Sequence, residues 1–233
     1  MTSDEVAKFV TPVRMCSCEE VLAQPSPVPA QDGVYGWWFR KLPPLVVADA
    51  CRLHQGLRLL YVGISPKRPP QNGRAPSKQN LRDRITYHYT GNAEGSTLRK
   101  TLGCLLADEL GIQLRRVGSG NRMTFVEGEQ ALSAWMAENA YVSWVVRARP
   151  WELEDELIAT LDLPLNLQGN PLNQFHPVLA GMRAECVAQA KALPVVPNPG
   201  IGGGRQARTP ARPPDDGGVS GSLQVHPVWW NVV

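Results

Sequence analysis

Three short runs rich in β-branched and aromatic residues, at 34–39, 57–64 and 141–148, constrain the fold of this chain more than any other feature. They read as strands. Between the second and third lie mainly helix-like patterns, and strand and helix do not alternate in series along the chain. That argues against a doubly wound parallel sheet. The expectation is an α+β fold: a small central antiparallel sheet of about three strands flanked by helices.

Caps and periodicity place the helices. Ser17, with Glu20 three residues on, forms a capping box before a short helix. Asn80 caps a helix over 80–89, Ser96 caps "TLRKTLGCLLADEL", and Gly111 stands at its C-terminal end. "RMTFVEG" reads as a short strand and "EQALSAWMAENA" as a helix. Pro150 opens the helix "WELEDELIATLDL", and a final helix covers 178–192. The connection between the first two strands is too long for a tight turn and is expected to hold a helical turn around 46–54. The chain then divides into an N-terminal arm (1–30), a domain (31–192) with an insertion at about 111–140, and a tail (193–233). From Pro194 onward, 14 of 40 residues are Pro or Gly, which predicts disorder.

Of the 233 residues 43% are hydrophobic, enough for a core. The mean hydropathy of -0.23 and the lack of an apolar run near the ~20 residues of a membrane helix predict a cytoplasmic protein that does not enter a membrane. Five cysteines, an odd and scattered set, argue against an oxidised scaffold, and Cys16-x-Cys18 without a second pair argues against zinc. The net charge of +3 is unevenly spread. Over 66–84, Lys67, Arg68, Arg74, Lys78, Arg82 and Arg84 face one anion, Asp83, so this stretch carries +5 and the rest -2. A phosphate-facing surface and a merely solvated loop both account for it.

The first two strands each set a tyrosine near a glycine, as Gly33-Val34-Tyr35 and Tyr61-Val62-Gly63. Glycine weakens a strand and often marks close approach, so Gly33, Gly36 and Gly63 are expected to let a group approach the tyrosines. On a helical wheel from Trp151, Glu154 is the one acid of five that falls in the apolar arc of Leu153, Leu157 and Ile158. A carboxylate there needs a cation, a metal or strong donors, and a structural ion pair with an arginine is an equal account. In the helix at 80–89, Leu81, Ile85 and Tyr89 define the inner face. His88 lies on that face and Arg84 at its border, one turn apart.

Taken together these residues resemble the GIY-YIG nuclease superfamily, over roughly 32–166. Gly33-Val34-Tyr35 and Tyr61-Val62-Gly63 match its two motifs. Arg84 is followed four residues later by His88, and Glu154 twelve residues later by Asn166, with Pro164 between. The chain is similar to small stand-alone members of that superfamily. The resemblance implies a divalent-metal-dependent endonuclease acting on DNA, ahead of RNA. Glu154 would hold Mg²⁺ or Mn²⁺, Arg84 the phosphate oxygens, and Tyr35 would act as base towards water. A phenol is a poor base at neutral pH, so a neighbouring cation would have to lower its pKa. Tyr61 and His88 would position water or phosphate, and Asn166 would support the metal side. Lys67, Arg68, Arg74 and Lys78 would track the nucleic-acid backbone, with the insertion or a protein partner recognising the substrate. Many relatives have a lysine where this chain has Ile64. That departure motivates the alternative, a non-catalytic nucleic-acid-binding or scaffold protein on the same fold.

Overall fold

The structure, a computed structural model, describes residues 2–70, 72 and 75–200. Helices α1 (Thr2–Val10) and α2 (Cys18–Leu22) precede strands β1 (Gly33–Phe39), β2 (Leu53–His54) and β3 (Leu57–Ser65). Helices α3 (Leu81–Thr90), α4 (Thr97–Leu105) and α5 (Ala107–Leu110) lead into the hairpin of β4 (Arg115–Val117) and β5 (Arg122–Thr124). Helix α6 (Gly128–Asn139), strand β6 (Ala140–Val146) and helices α7 (Pro150–Thr160) and α8 (His176–Ala192) follow.

The main sheet is antiparallel throughout, in the order β2-β3-β1-β6. The fold is α+β, with helices packed on the sheet as the strand pattern predicts. Every residue of β1 is buried, because it pairs on both edges and is covered on both faces. On one face Tyr35, Trp37, Phe39 and Tyr61 join the core that contains Leu81, Ile85 and Tyr89 of α3. On the other, Val34, Trp38 and Val62 pack with Phe9 and Val10 of α1 and Leu153 and Leu157 of α7. Residues 1–30 thus contribute to both layers, and the Ser17–Glu20 capping box forms as expected.

Three local expectations are corrected. No helix forms around 46–54. Gln55 and Gly56 take φ of 49° and 78° and turn the chain back as a β2–β3 hairpin, adding a fourth strand. Glutamine is a poor residue for left-handed backbone, which hides this turn in the sequence. The helix after Ser96 breaks at Leu106 into α4 and α5, the latter ended by Gly111 at φ 62°. Strand β4 pairs with the expected strand at 122–124. Residues following Pro194 do not begin as a loose tail: Val196 bridges Val117 and its N–H donates to the Arg116 carbonyl at 3.0 Å. Residues 201–233 lie outside the described residues.

Arg99 of α4 is wholly buried against α3 and α6. It donates to Glu129 Oε2 at 2.7 and 3.0 Å and to the carbonyls of His88 and Tyr89 at 3.1 and 3.0 Å. A buried ion pair is tolerable only when the remaining donors also find partners, and these do. The knot fixes the end of α3, and with it the position of His88.

Candidate functional site

The register of the β1–β3 pair carries the site. Tyr35 lies opposite Gly63 and Trp37 opposite Tyr61, so Tyr35 and Tyr61 are diagonal neighbours on one face. A Cβ on Gly63 would stand 2.6 Å from Tyr35 Oη, closer than real Cβ contacts allow. Gly63 is therefore glycine because the Tyr35 ring crosses it. The expectation for the other two glycines is corrected. A Cβ on Gly33 would meet the Val145 carbonyl at 2.3 Å, and one on Gly36 would meet Phe9 on the opposite face at 3.0 Å.

Helix α3 starts at the Asn80 cap, which accepts from Asp83 N–H at 3.0 Å, and turns Arg84 and His88 inward. They are 9% and 0% exposed. His88 Nε2 is 2.8 Å from Tyr35 Oη, and its Nδ1 is 2.7 Å from Ser96 Oγ. Arg84 donates through Nε to Tyr35 Oη at 3.4 Å and through Nη1 to the Gly95 carbonyl at 2.8 Å. Its Nη2 has no partner among the described residues, which leaves one arm of the guanidinium for an anion. The ring of Tyr61 stands 6.5 Å from that of His88.

Burial holds His88 well below its ordinary value, with Arg84 and Arg99 acting in the same direction, so the ring is neutral. Burial raises the Tyr35 phenol, and Arg84 pulls against it without overcoming it. The expected cation is present, but the expected net lowering is not. The Tyr61 phenol is likewise raised by burial and by Tyr35.

Glu154 is half-buried on α7 and makes no hydrogen bond or ion pair among the described residues. Burial pushes its carboxyl up to about 7; Asp155 adds to this and Arg68 opposes it. Its charge raises both Tyr35 and Tyr61, so it acts on the same site as the α3 residues. Among the described residues no arginine pairs with it, and Arg68 is bound to Asp155 instead. A half-buried carboxylate without a partner fits a divalent cation, whose hard charge seeks oxygen ligands and several waters. No cluster of three or more His, Cys, Asp or Glu occurs among the described residues, so Glu154 would hold such an ion as a single protein carboxylate.

Asn166 is buried, and its amide is fully used by β3. Its Oδ1 accepts from Val62 N–H and its Nδ2 donates to the Val62 carbonyl, both at 2.9 Å. With Leu165 N–H donating to the Leu60 carbonyl at 3.1 Å, this segment acts as a partial strand along the β3 edge beyond β2. Asn166 thus grips the residue between Tyr61 and Gly63. Lys67, Arg68 and Lys78 are exposed, and Arg74 lies outside the described residues.

Two neighbours escaped the sequence reading of the site. Ser96 is legible only as a helix cap. Arg183 on α8 is half-buried, touches Thr101 at 3.4 Å and lowers the Tyr61 phenol against burial. Neither is signalled by spacing from the motifs. A cavity of about 950 Å³ lined by Val47, Asp162, Leu172 and Phe175 contains none of these site residues.

The family model of the GIY-YIG catalytic domain matches residues 33–185, so the chain belongs to the GIY-YIG family, a family of nucleases. The match runs from the first glycine of β1 into α8 and takes in both tyrosines, Arg84, His88, Glu154 and Asn166. No curated protein and no solved structure matches the chain. No helix among the described residues is long and apolar enough to cross a membrane.

Proposed function

We propose that this chain is a divalent-metal-dependent endonuclease that hydrolyses phosphodiester bonds in DNA. The observation that carries the reading is the convergence of His88 and Arg84 on the Tyr35 phenol oxygen, with Glu154, which has no partner among the described residues, acting on both tyrosines. Glu154 would hold Mg²⁺ or Mn²⁺, which when bound would neutralise charge developing on the phosphate and the leaving oxygen. Nη2 of Arg84, without a partner among the described residues, binds a non-bridging phosphate oxygen. Tyr35 Oη receives the proton of the attacking water, the Arg84 Nε–H beside it stabilising the phenolate. Because burial raises that phenol, the active fraction grows with pH, and the rate should climb through at least about pH 9. Tyr61 and Asn166 hold the site's shape, Asn166 through β3. Lys67, Arg68, Arg74 and Lys78 track the nucleic-acid backbone.

Ile64 favours a second reading, a nucleic-acid-binding protein on the same fold. It packs with the apolar layer under α7 and offers no cation where many relatives have one. The deciding experiment is cleavage of supercoiled plasmid and a panel of branched oligonucleotides with Mg²⁺ or Mn²⁺, comparing wild type with Glu154→Ala. Metal-dependent nicking that the variant loses supports the endonuclease. Salt-dependent binding with equal inertness of both proteins supports the binding module.

A further inference from the structure

Ser96 is completely buried where the end of α3 meets the start of α4. Its oxygen accepts the Arg99 N–H at 3.1 Å, as an N-cap does, and lies 2.7 Å from His88 Nδ1. Among the described residues it has no other partner. A hydroxyl carries one proton and two lone pairs. The Arg99 N–H can only donate, so it takes a lone pair. The hydroxyl proton then has one acceptor in reach among the described residues, His88 Nδ1. Were Nδ1 protonated, two donors would point at the Ser96 oxygen, and the serine proton would be buried with nothing to receive it.

With Nδ1 accepting, a neutral ring carries its one proton on Nε2, which faces Tyr35 Oη at 2.8 Å. The same accounting then applies at the phenol. His88 Nε2–H and Arg84 Nε–H both donate to Tyr35 Oη, at 2.8 and 3.4 Å. The phenol's own proton is left for a partner other than His88.

We propose that Ser96 is a positioning residue: anchored as the cap of α4, its hydroxyl holds His88 in the Nε2–H tautomer, so that His88 serves Tyr35 as a donor. This deepens the reading of Tyr35 as base and rests on it for its catalytic meaning. A Tyr35 phenolate is then held by two donors, and its proton does not pass inward to the histidine. The helix cap and the site are one device. The bond that starts α4 also decides what His88 can offer.

The test is ¹⁵N NMR of the His88 ring in the full chain labelled at histidine, with His88→Gln assigning the signals. Wild type and Ser96→Thr are expected to show Nδ1 bare and Nε2 protonated. Ser96→Asp keeps an oxygen to cap α4 but has no proton to give, so the protonated nitrogen should switch to Nδ1. Cleavage by Ser96→Asp should fall roughly 10- to 100-fold in kcat, with KM little changed, while Ser96→Thr stays near wild type. Protonated Nδ1 in wild type overturns the proposal, whether or not the variants fold. So does an unchanged tautomer in a folded Ser96→Asp. The expected ring pattern in a protein that cuts no substrate upholds the hold of Ser96 on His88 and overturns the endonuclease reading instead.

Discussion

Glu154 is a side chain whose burial weakens the fold beside the two motif tyrosines. Its carboxyl sits at about 7 in the folded chain against an ordinary 4.5, so the folded state binds the extra proton between those values. The associated stability is complete below the lower value and lost as pH rises through the upper one. Glu154→Gln mimics the neutral form. At about pH 8 it should be more stable than wild type by on the order of 1–3 kcal/mol in denaturant melts, a gap that closes by about pH 4. A gap that does not change with pH would mean that Glu154 is not desolvated. Mg²⁺ should raise the melting midpoint of wild type at the higher pH and leave the glutamine variant unmoved. Gly63 makes a steric case at the same scale. Gly63→Ala forces the Tyr35 ring aside and should cost about 1–3 kcal/mol, with loss of cleavage. Retained activity with normal stability would show that the ring has room. The wheel position of Glu154 is readable from its own helix. Its lack of a partner among the described residues is not, because that depends on Arg68 turning to Asp155.

At the scale of elements, the site is held by two clamps outside the chemistry. Asn166 closes the β3 edge where β2 has already ended. Asn166→Leu would leave the Val62 N–H and carbonyl buried and unpaired, costing about 2–4 kcal/mol. Cleavage should suffer as well, since Tyr61 and Gly63 flank that residue. A near-neutral result would show that water replaces the amide. Arg99 is the second clamp, and Arg99→Met, which strands Glu129 as an uncompensated buried charge, should cost about 3–5 kcal/mol. Glu129→Gln in the same background should recover part of it, and failure to do so would place the loss in packing. The helix caps at Asn80 and Ser96 were legible because capping is local. The β2–β3 turn was not, because Gln55 adopts a left-handed conformation that its type disfavours.

For the molecule as a whole, the modest net charge conceals a basic segment of +5 over 66–84, from the end of β3 into the first turn of α3. If that segment meets a nucleic-acid backbone, Lys67→Ala and Lys78→Ala should each lower the salt dependence of DNA binding by about one counterion, uniformly across sequences. Arg68 is already paired with Asp155, so Arg68→Ala should change it less. An unchanged salt slope in all three would leave the segment as a solvated loop. By itself the sequence determined the three long strands, most of the helices, the caps, and the faces of α3 and α7 that turn inward. Those follow from periodicity and from bonds spanning a turn or two. It also carried the family signature in six separated residues. Only the tertiary structure decided that the Tyr35 ring crosses Gly63, that Asn166 grips Val62 104 positions away, and that His88 lies between Tyr35 and a helix cap. The reason is physical. A buried polar atom must find a partner, and which partner it finds is settled by how the layers pack, not by spacing along the chain.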